Sequence, residues 1–271
     1  MIPKIIHYCW FGENPLPELA QKCIESWEKY FPSYEIKEWN ETNYDVHKIP
    51  YASEAYDAKK YAFVSDYARF DILYQYGGIY FDTDVEVIKP YDDILKNGGF
   101  MGFEAAGTVA AGLGIGCNAG LGIIHQIVEF YASLCFLNDD GSYNTYTVVE
   151  YVTKILKKHG LKRENTIQKF EGLTIYPIEY FCPISFITGK MNITNNTYSI
   201  HHYTASWFSE LQIEMRMKKQ KIYSIFGTNL LSKTISRLTY ATLLIKREGL
   251  PSAIKYYHLR YIDKKRIHKK Q

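Results

Sequence analysis

The sequence lacks any uninterrupted apolar run approaching the ~18 residues that a membrane-spanning helix requires, so no bilayer span is expected. Cysteine is sparse: five residues, at 9, 23, 117, 135 and 182, odd in number, widely spaced and without a C-x-x-C. That pattern excludes a disulfide framework or a zinc ribbon and fits a reducing compartment. No internal repeat or low-complexity stretch is present, and the composition excludes collagen and coiled coil. MIPKIIHYCWFG offers no small-residue cleavage site, so no signal peptide is expected. No recognised nucleic-acid-reading motif accompanies the basic residues, which sets nucleic acid aside as a partner.

What is present is a chain of 271 residues, 46% hydrophobic and 23% charged, in the range of an ordinary globular protein. Aromatics are abundant, with 25 Tyr, 14 Phe and 4 Trp. Tyrosine joins an apolar body to a polar tip, which suits sugar-binding clefts and wet interfaces. AT-rich codon usage accounts for the same excess equally well. The net charge of +3 conceals a polarity: residues 1–209 hold 17 Lys and Arg against 25 Asp and Glu, whereas residues 210–271 hold 15 against 4. An acidic body with a basic end is expected to turn that end toward something anionic.

Periodicity divides the chain at the same place. Residues 4–11 read as a buried strand, 19–31 as an amphipathic helix and 34–39 as an alternating strand, the opening of an α/β sheet. Residues 54–76 carry one or two helices stopped by Gly77 and Gly78. Ile79–Phe81 is a short apolar strand. The glycine-dense stretch 98–122 reads as tight turns and close backbone approach. Helices are expected over 123–137 and 147–159, with short strands or loops over 173–187 and 198–203. From about 210 onward three helical patterns mix apolar and basic residues, the signature of a membrane-surface or partner-docking helix. The expected organisation is a catalytic domain over 1–209 and a basic amphipathic helical region over 210–271.

The most informative segment is Ser65-Asp66-Tyr67-Ala68-Arg69, followed eight residues later by Gly78-Ile79-Tyr80-Phe81-Asp82-Thr83-Asp84. Two carboxylates directly after a buried strand sit at the carboxyl end of a sheet, where open α/β sheets bind ligands. Such hard oxygen ligands suit Mg²⁺ or Mn²⁺ shared with a diphosphate. Asp66 and Arg69, three apart on a helix, share one face and offer an acceptor for sugar hydroxyls beside a donor to sugar or diphosphate. A D-x-D phosphatase of the haloacid-dehalogenase type is a poorer fit. It wants Thr or Val where this chain has Glu86, and its motif strand usually opens the fold.

The order IPKIIHYCWFG, SDYARFDILYQYGGIYFDTD and HHYTASW resembles glycosyltransferase family 32. These are capsule, polysaccharide and initiating-mannosyltransferase-like enzymes, related to the catalytic core of the large clostridial glucosylating toxins. The resemblance covers roughly residues 1–209 and implies a GT-A-type, Rossmann-like nucleotide-sugar-binding α/β fold with a mixed central sheet. It further implies that Trp10 stacks on the nucleotide base, that Asp66 and Arg69 hold donor sugar and diphosphate, and that Asp82 lies near ribose, sugar and metal. Asp84 is implied as the direct metal ligand. His201, with His202 as fallback, would complete the metal shell. Ser206 and Trp207 would close over the diphosphate, and Asn118 would face the sugar.

The expected activity is metal-dependent, configuration-retaining transfer of a hexose from a nucleotide sugar to a glycan. Mn²⁺ or Mg²⁺ is the expected cofactor and the nucleotide sugar the co-substrate. A UDP-sugar is favoured over GDP-mannose, with UDP-galactose first among donors. The acceptor is expected to be a polyprenyl-diphosphate-linked glycan of capsular or other surface polysaccharide, with oligomeric state left open. The basic end would hold the enzyme on an anionic membrane, peripheral on the cytoplasmic, inner face of a bacterial cell membrane. Two alternatives stand beside this: a non-catalytic nucleotide-sugar- or glycan-binding protein, and a toxin-like protein glycosyltransferase.

Overall fold

The structure, a computed structural model, describes residues 1–204 and 208–268, with side chains through residue 254. Among these, 1–184 and 191–204 form one compact unit, and 185–190 with 208–268 form another.

The first unit opens with β1 (Ile5–Cys9), α1 (Glu18–Tyr30) and β2 (Glu35–Trp39), the expected strand–helix–strand. Helices α2 (Pro50–Asp57) and α3 (Tyr61–Tyr76) lead into β3 (Gly78–Tyr80) and β4 (Val85–Val87). After α4 (Asp92–Leu95) come β5 (Gly99–Ala105), β6 (Thr108–Ala110), a 3₁₀ turn at Ala111–Leu113 and β7 (Ile115–Cys117). The unit is completed by α5 (Gly122–Ala132), α6 (Val148–Lys158), β8 (Gln168–Phe170), β9 (Leu173–Tyr176), α7 (Ile178–Phe181) and β10 (Ser199–His201).

The main sheet runs β2-β1-β3-β7-β5-β9-β8, with β6 paired to β5. β1 lies parallel to β2 and β3, β7 is antiparallel to β3 and β5, and β9 is parallel to β5. This is an α/β fold with the mixed central sheet that the GT-A-type resemblance implies. A small second sheet pairs β10 antiparallel to β4.

Local sequence explains most elements. α1 buries Ala20, Cys23 and Trp27, the helical spacing of its apolar face. α3 is buried from Phe63 through Leu73 with few breaks, as a helix packed on several sides must be. Gly77, at φ 63°, ends it in a backbone conformation that side chains disfavour. Thr147 and Glu150 form a reciprocal capping box that starts α6.

The glycine-dense stretch differs from its expected run of turns, because three strands cross it. Its glycines stand where neighbours fill the space of a side chain. A Cβ on Gly102 would lie 2.6 Å from the Phe181 ring, and one on Gly116 would run into Phe100. Close backbone approach is thus correct, but it occurs inside the sheet. The tyrosine excess also gains an account: Tyr51, Tyr67, Tyr80, Tyr91 and Tyr131 are all fully buried, so much of it fills the core.

The second unit contains α8 (Glu210–Phe226), begun by a Ser209–Gln212 capping box, and α9 (Leu230–His268), interrupted at Gly249 by a non-helical φ of 83°. Met215 of α8 packs with Leu243, Leu244 and Ala253 of α9. Arg247 reaches Glu214 at 2.9 Å. This is the helical C-terminal extension that the basic patterns lead one to expect. Among the described residues no helix is long and apolar enough to cross a membrane.

Candidate active site

β1 and β3 run side by side, with Ile6 opposite Ile79 and His7 opposite Tyr80, so both strands end at one edge of the sheet. Trp10 follows β1 at that edge and is half-buried, while Phe81 and Asp82 follow β3. The chain then turns: the Val85 N–H donates to the Asp82 carbonyl at 3.0 Å. That turn brings the two carboxylates of Asp82-Thr83-Asp84 toward a common space.

Arg69 stands behind them. One turn of α3 separates it from Asp66, whose Oδ1 accepts from Nη2 at 2.9 Å, and Nη1 lies 3.1 Å from Asp82 Oδ1. Its Nε donates to the Ser65 carbonyl at 3.0 Å, and the guanidinium lies 4.9 Å from the Tyr80 ring centre. The Tyr80 hydroxyl donates to Asp82 Oδ1 at 3.2 Å. Only 4% of the Arg69 side chain is exposed, so this cation is fixed between two carboxylates with little freedom. Burial pushes the Asp66 carboxyl up, Arg69 opposes it, Asp82 adds to it, and the Val148 N–H at the start of α6 again opposes it; the outcome is about 7.

Asp84 is held from the other side. His201 Nε2 lies 3.1 Å from its Oδ1, while the backbone N–H and hydroxyl of Thr204 each donate to Oδ2 at 2.8 Å. Burial acts to raise this carboxyl, but the His201 charge and these bonds outweigh it and hold it well below the usual range. His201 is correspondingly raised: burial disfavours its charged form, and Asp84, Asp82 and the half-buried Glu104 prevail over it.

Asp82, Asp84 and His201 offer one ligand atom each, all within 4.8 Å of one another. Two carboxylates and an imidazole suit Mn²⁺ or Mg²⁺, and they leave coordination positions for phosphate oxygens. The residues also show a polar group not yet satisfied: His201 Nδ1 is buried and has no hydrogen-bond partner among the described residues. The donor set therefore fits a divalent cation.

The structure thus gathers Asp66, Arg69, Asp82, Asp84 and His201, with Trp10 at the same sheet edge. It does not gather His202, whose Nε2 lies 2.9 Å from Glu86 instead. Successive residues at the end of β10 face opposite ways, so one histidine turns to Asp84 and its neighbour turns aside. Nor does it gather Asn118. β7 runs antiparallel to β3, with Cys117 opposite Gly78, which carries the exposed Asn118 to the other end of the sheet from Asp82. Ser206 and Trp207 lie outside the described residues. Thr204, Tyr80 and Gly112 join the site without having been singled out. Thr204 lies within the HHYTASW motif, three residues after His201, which was a usable signal. Gly112 gave none: it lies against Asp82 only through the fold, so close that a Cβ would strike the carboxylate.

Comparison with known proteins agrees with this geometry. Residues 17–100 match the model of the glycosyltransferase sugar-binding region containing DXD motif, which takes in Asp66, Arg69, Asp82 and Asp84. By class this is a glycosyltransferase region. The match is to residues 17–100 alone, under a third of the chain, and over those residues the chain resembles the DXD-containing transferases.

Among curated relatives, inositol phosphoceramide mannosyltransferase 1 of Schizosaccharomyces pombe is 31% identical over 111 residues, 37% of this chain and 33% of that protein. Inositol phosphoceramide mannosyltransferase 3 of the same yeast is 37% identical over 106 residues, 35% of this chain and 27% of that one. The matches therefore span about a third of these relatives' own length. Among solved structures, PaToxG glycosyltransferase superposes with a TM-score of 0.46 at 17% identity, covering 59% of this chain and 70% of that one. A glycosyltransferase involved in glycosylation of the PBCV-1 major capsid gives 0.42 at 14%, covering 81% and 98%.

Proposed function

We propose that this protein is a metal-dependent, retaining glycosyltransferase that moves a hexose from a nucleotide sugar to a glycan acceptor in surface-polysaccharide synthesis. The observation that carries the reading is the convergence of Asp82, Asp84 and His201 within 4.8 Å, with Arg69 against Asp82. Asp82, Asp84 and His201 would hold Mn²⁺ or Mg²⁺, which when bound supplies positive charge opposite the leaving diphosphate. Arg69, fixed in a dry setting, adds a preorganised cation at the same edge, where negative charge develops as the sugar–phosphate bond breaks. Asp66 presents a carboxyl to sugar hydroxyls. Trp10, at the end of β1, offers a face on which the base can stack. Ser206 and Trp207 are the candidates for closing over the diphosphate.

UDP-galactose is the first donor to test, ahead of other UDP-hexoses. GDP-mannose follows, because the yeast relatives are named as mannosyltransferases. The same names, with their ceramide acceptor, support a lipid-linked acceptor. The test is a panel of UDP- and GDP-sugars with Mn²⁺, scoring donor hydrolysis and transfer, with product anomeric configuration read by NMR. Asp84→Ala should abolish turnover of whichever donor is used; unchanged turnover would refute the metal-site reading.

A further inference from the structure

We propose that the outward face of α9 is a membrane-docking ridge, with Leu231, Leu238 and Ile245 entering the headgroup region of an anionic lipid surface. A helix packed on one side usually turns a polar face outward. α9 does not. Its inner face is set by Leu243 and Leu244, buried against α8, and by the fully buried Ser232. Leu231, Leu238 and Ile245 recur every seven residues, so they form one line nearly opposite that inner face. They are exposed by 61%, 64% and 43%. The line extends ~21 Å along the helix at ~1.5 Å per residue. Thr234 and Thr242 fill the positions beside it, so no charge interrupts it.

Charge selects the occupant. Arg237 and Lys246, both exposed, lie on the two flanks of this line by helical spacing. The segment 210–271 holds 15 basic residues against 4 acidic ones. A seven-residue apolar spacing also suits a second copy of the same helix. Two copies of so basic a segment repel each other, whereas an anionic bilayer attracts both charge and stripe. Each basic side chain near such a surface strengthens binding about fivefold. This inference does not depend on the reading of the sugar site.

The experiment compares the full-length protein with Leu231→Ser/Leu238→Ser/Ile245→Ser. Co-sedimentation uses vesicles of phosphatidylcholine alone and of phosphatidylcholine with 30% phosphatidylglycerol, at about 0.1 M salt, where surface charge is still felt. The expected result is binding of the wild type to anionic but not neutral vesicles, and at least tenfold weaker binding of the triple variant. Far-UV circular dichroism and the unfolding midpoint report whether the variant is folded. A Leu238→Trp protein provides an independent readout, its added emission shifting to the blue with anionic vesicles only. Equal binding by folded wild type and triple variant overturns the proposal, as does no binding by wild type or no shift at Trp. A wild-type dimer in sedimentation that the triple variant abolishes, without vesicle binding, assigns the face to a second copy and likewise overturns it.

Discussion

Thr204 grips Asp84 twice, its backbone N–H and its hydroxyl both donating to Oδ2 at 2.8 Å. One carboxylate oxygen is thereby committed to the protein, leaving Oδ1, beside His201, to face the space shared with Asp82. Thr204→Val keeps the backbone bond and the shape of the side chain but removes the hydroxyl. A hydrogen bond to a charged group contributes about 1.5–3 kcal/mol. The apparent affinity for Mn²⁺ in donor hydrolysis should therefore fall by about tenfold or more, with little change at saturating metal. A Mn²⁺ titration of both proteins measures it; coincident curves would dismiss the grip as irrelevant to metal binding.

Gly112 gives a test that leaves every charged group in place. Its missing Cβ makes room for Asp82 Oδ2, so Gly112→Ala should displace that carboxylate rather than the backbone. Donor hydrolysis should drop at least tenfold, about 1.4 kcal/mol of transition-state stabilisation. The thermal midpoint should stay within a few degrees of the wild type. Wild-type turnover in Gly112→Ala would show that the position of Asp82 is not critical.

Metal binding should be visible without any sugar. A ligand held only by the folded state adds about 2.7 kcal/mol of stability at a hundredfold excess over its dissociation constant. Mn²⁺ should raise the unfolding midpoint of the wild type and leave Asp82→Asn and His201→Gln unmoved, and EDTA should reverse the rise. His202→Gln should behave as wild type, since that ring pairs with Glu86. A lost shift in His202→Gln together with an intact one in His201→Gln would reverse the assignment of the two.

His7 sets a pH dependence of stability away from the site. It is fully buried, with Nε2 2.9 Å from the Gly77 carbonyl and Nδ1 accepting from Trp39 Nε1 at 3.1 Å, so the neutral ring satisfies both neighbours. Burial pushes it down to about 4, against the Gly77 bond and helped by Lys37. The unfolded chain takes the proton near 6.5, earlier than the folded one as pH falls. Stability from this group is whole above pH 6.5 and decreases by about 3 kcal/mol on approach to pH 4. Denaturant midpoints between pH 7 and 4.5 should fall more steeply for wild type than for His7→Gln. Parallel curves would contradict it.

The parts of the site legible in the sequence are those fixed by short-range geometry. Asp66 and Arg69 are three apart on one helix, and Asp82 and Asp84 follow one strand, so their company could be read from spacing alone. The choice between His201 and His202 could not, because it depends on the register that sets His201 opposite Val85. Asn118 was misplaced for a related reason: a glycine-dense stretch does not reveal that β7 runs antiparallel to β3. β1 and the edge strand β2 carry β-rich or alternating residues and were readable. β5 and β7 were not, because aromatic rings from other segments supply the bulk that their glycines lack.

The pairing of β10 with β4 also has a consequence for how the protein comes into being. Asp84 and His201 are more than a hundred positions apart, so a chain emerging from the ribosome carries the first carboxylates long before it carries the imidazole. Strands β1 to β3 and helix α3 all lie within the first 80 residues, whereas the group of Asp82, Asp84 and His201 waits for contacts of long sequence separation, the slow kind in folding. A chain that ends before β10 lacks the imidazole of the Asp82, Asp84 and His201 group. The three groups that could hold a metal ion come together only once β10 is in place beside β4.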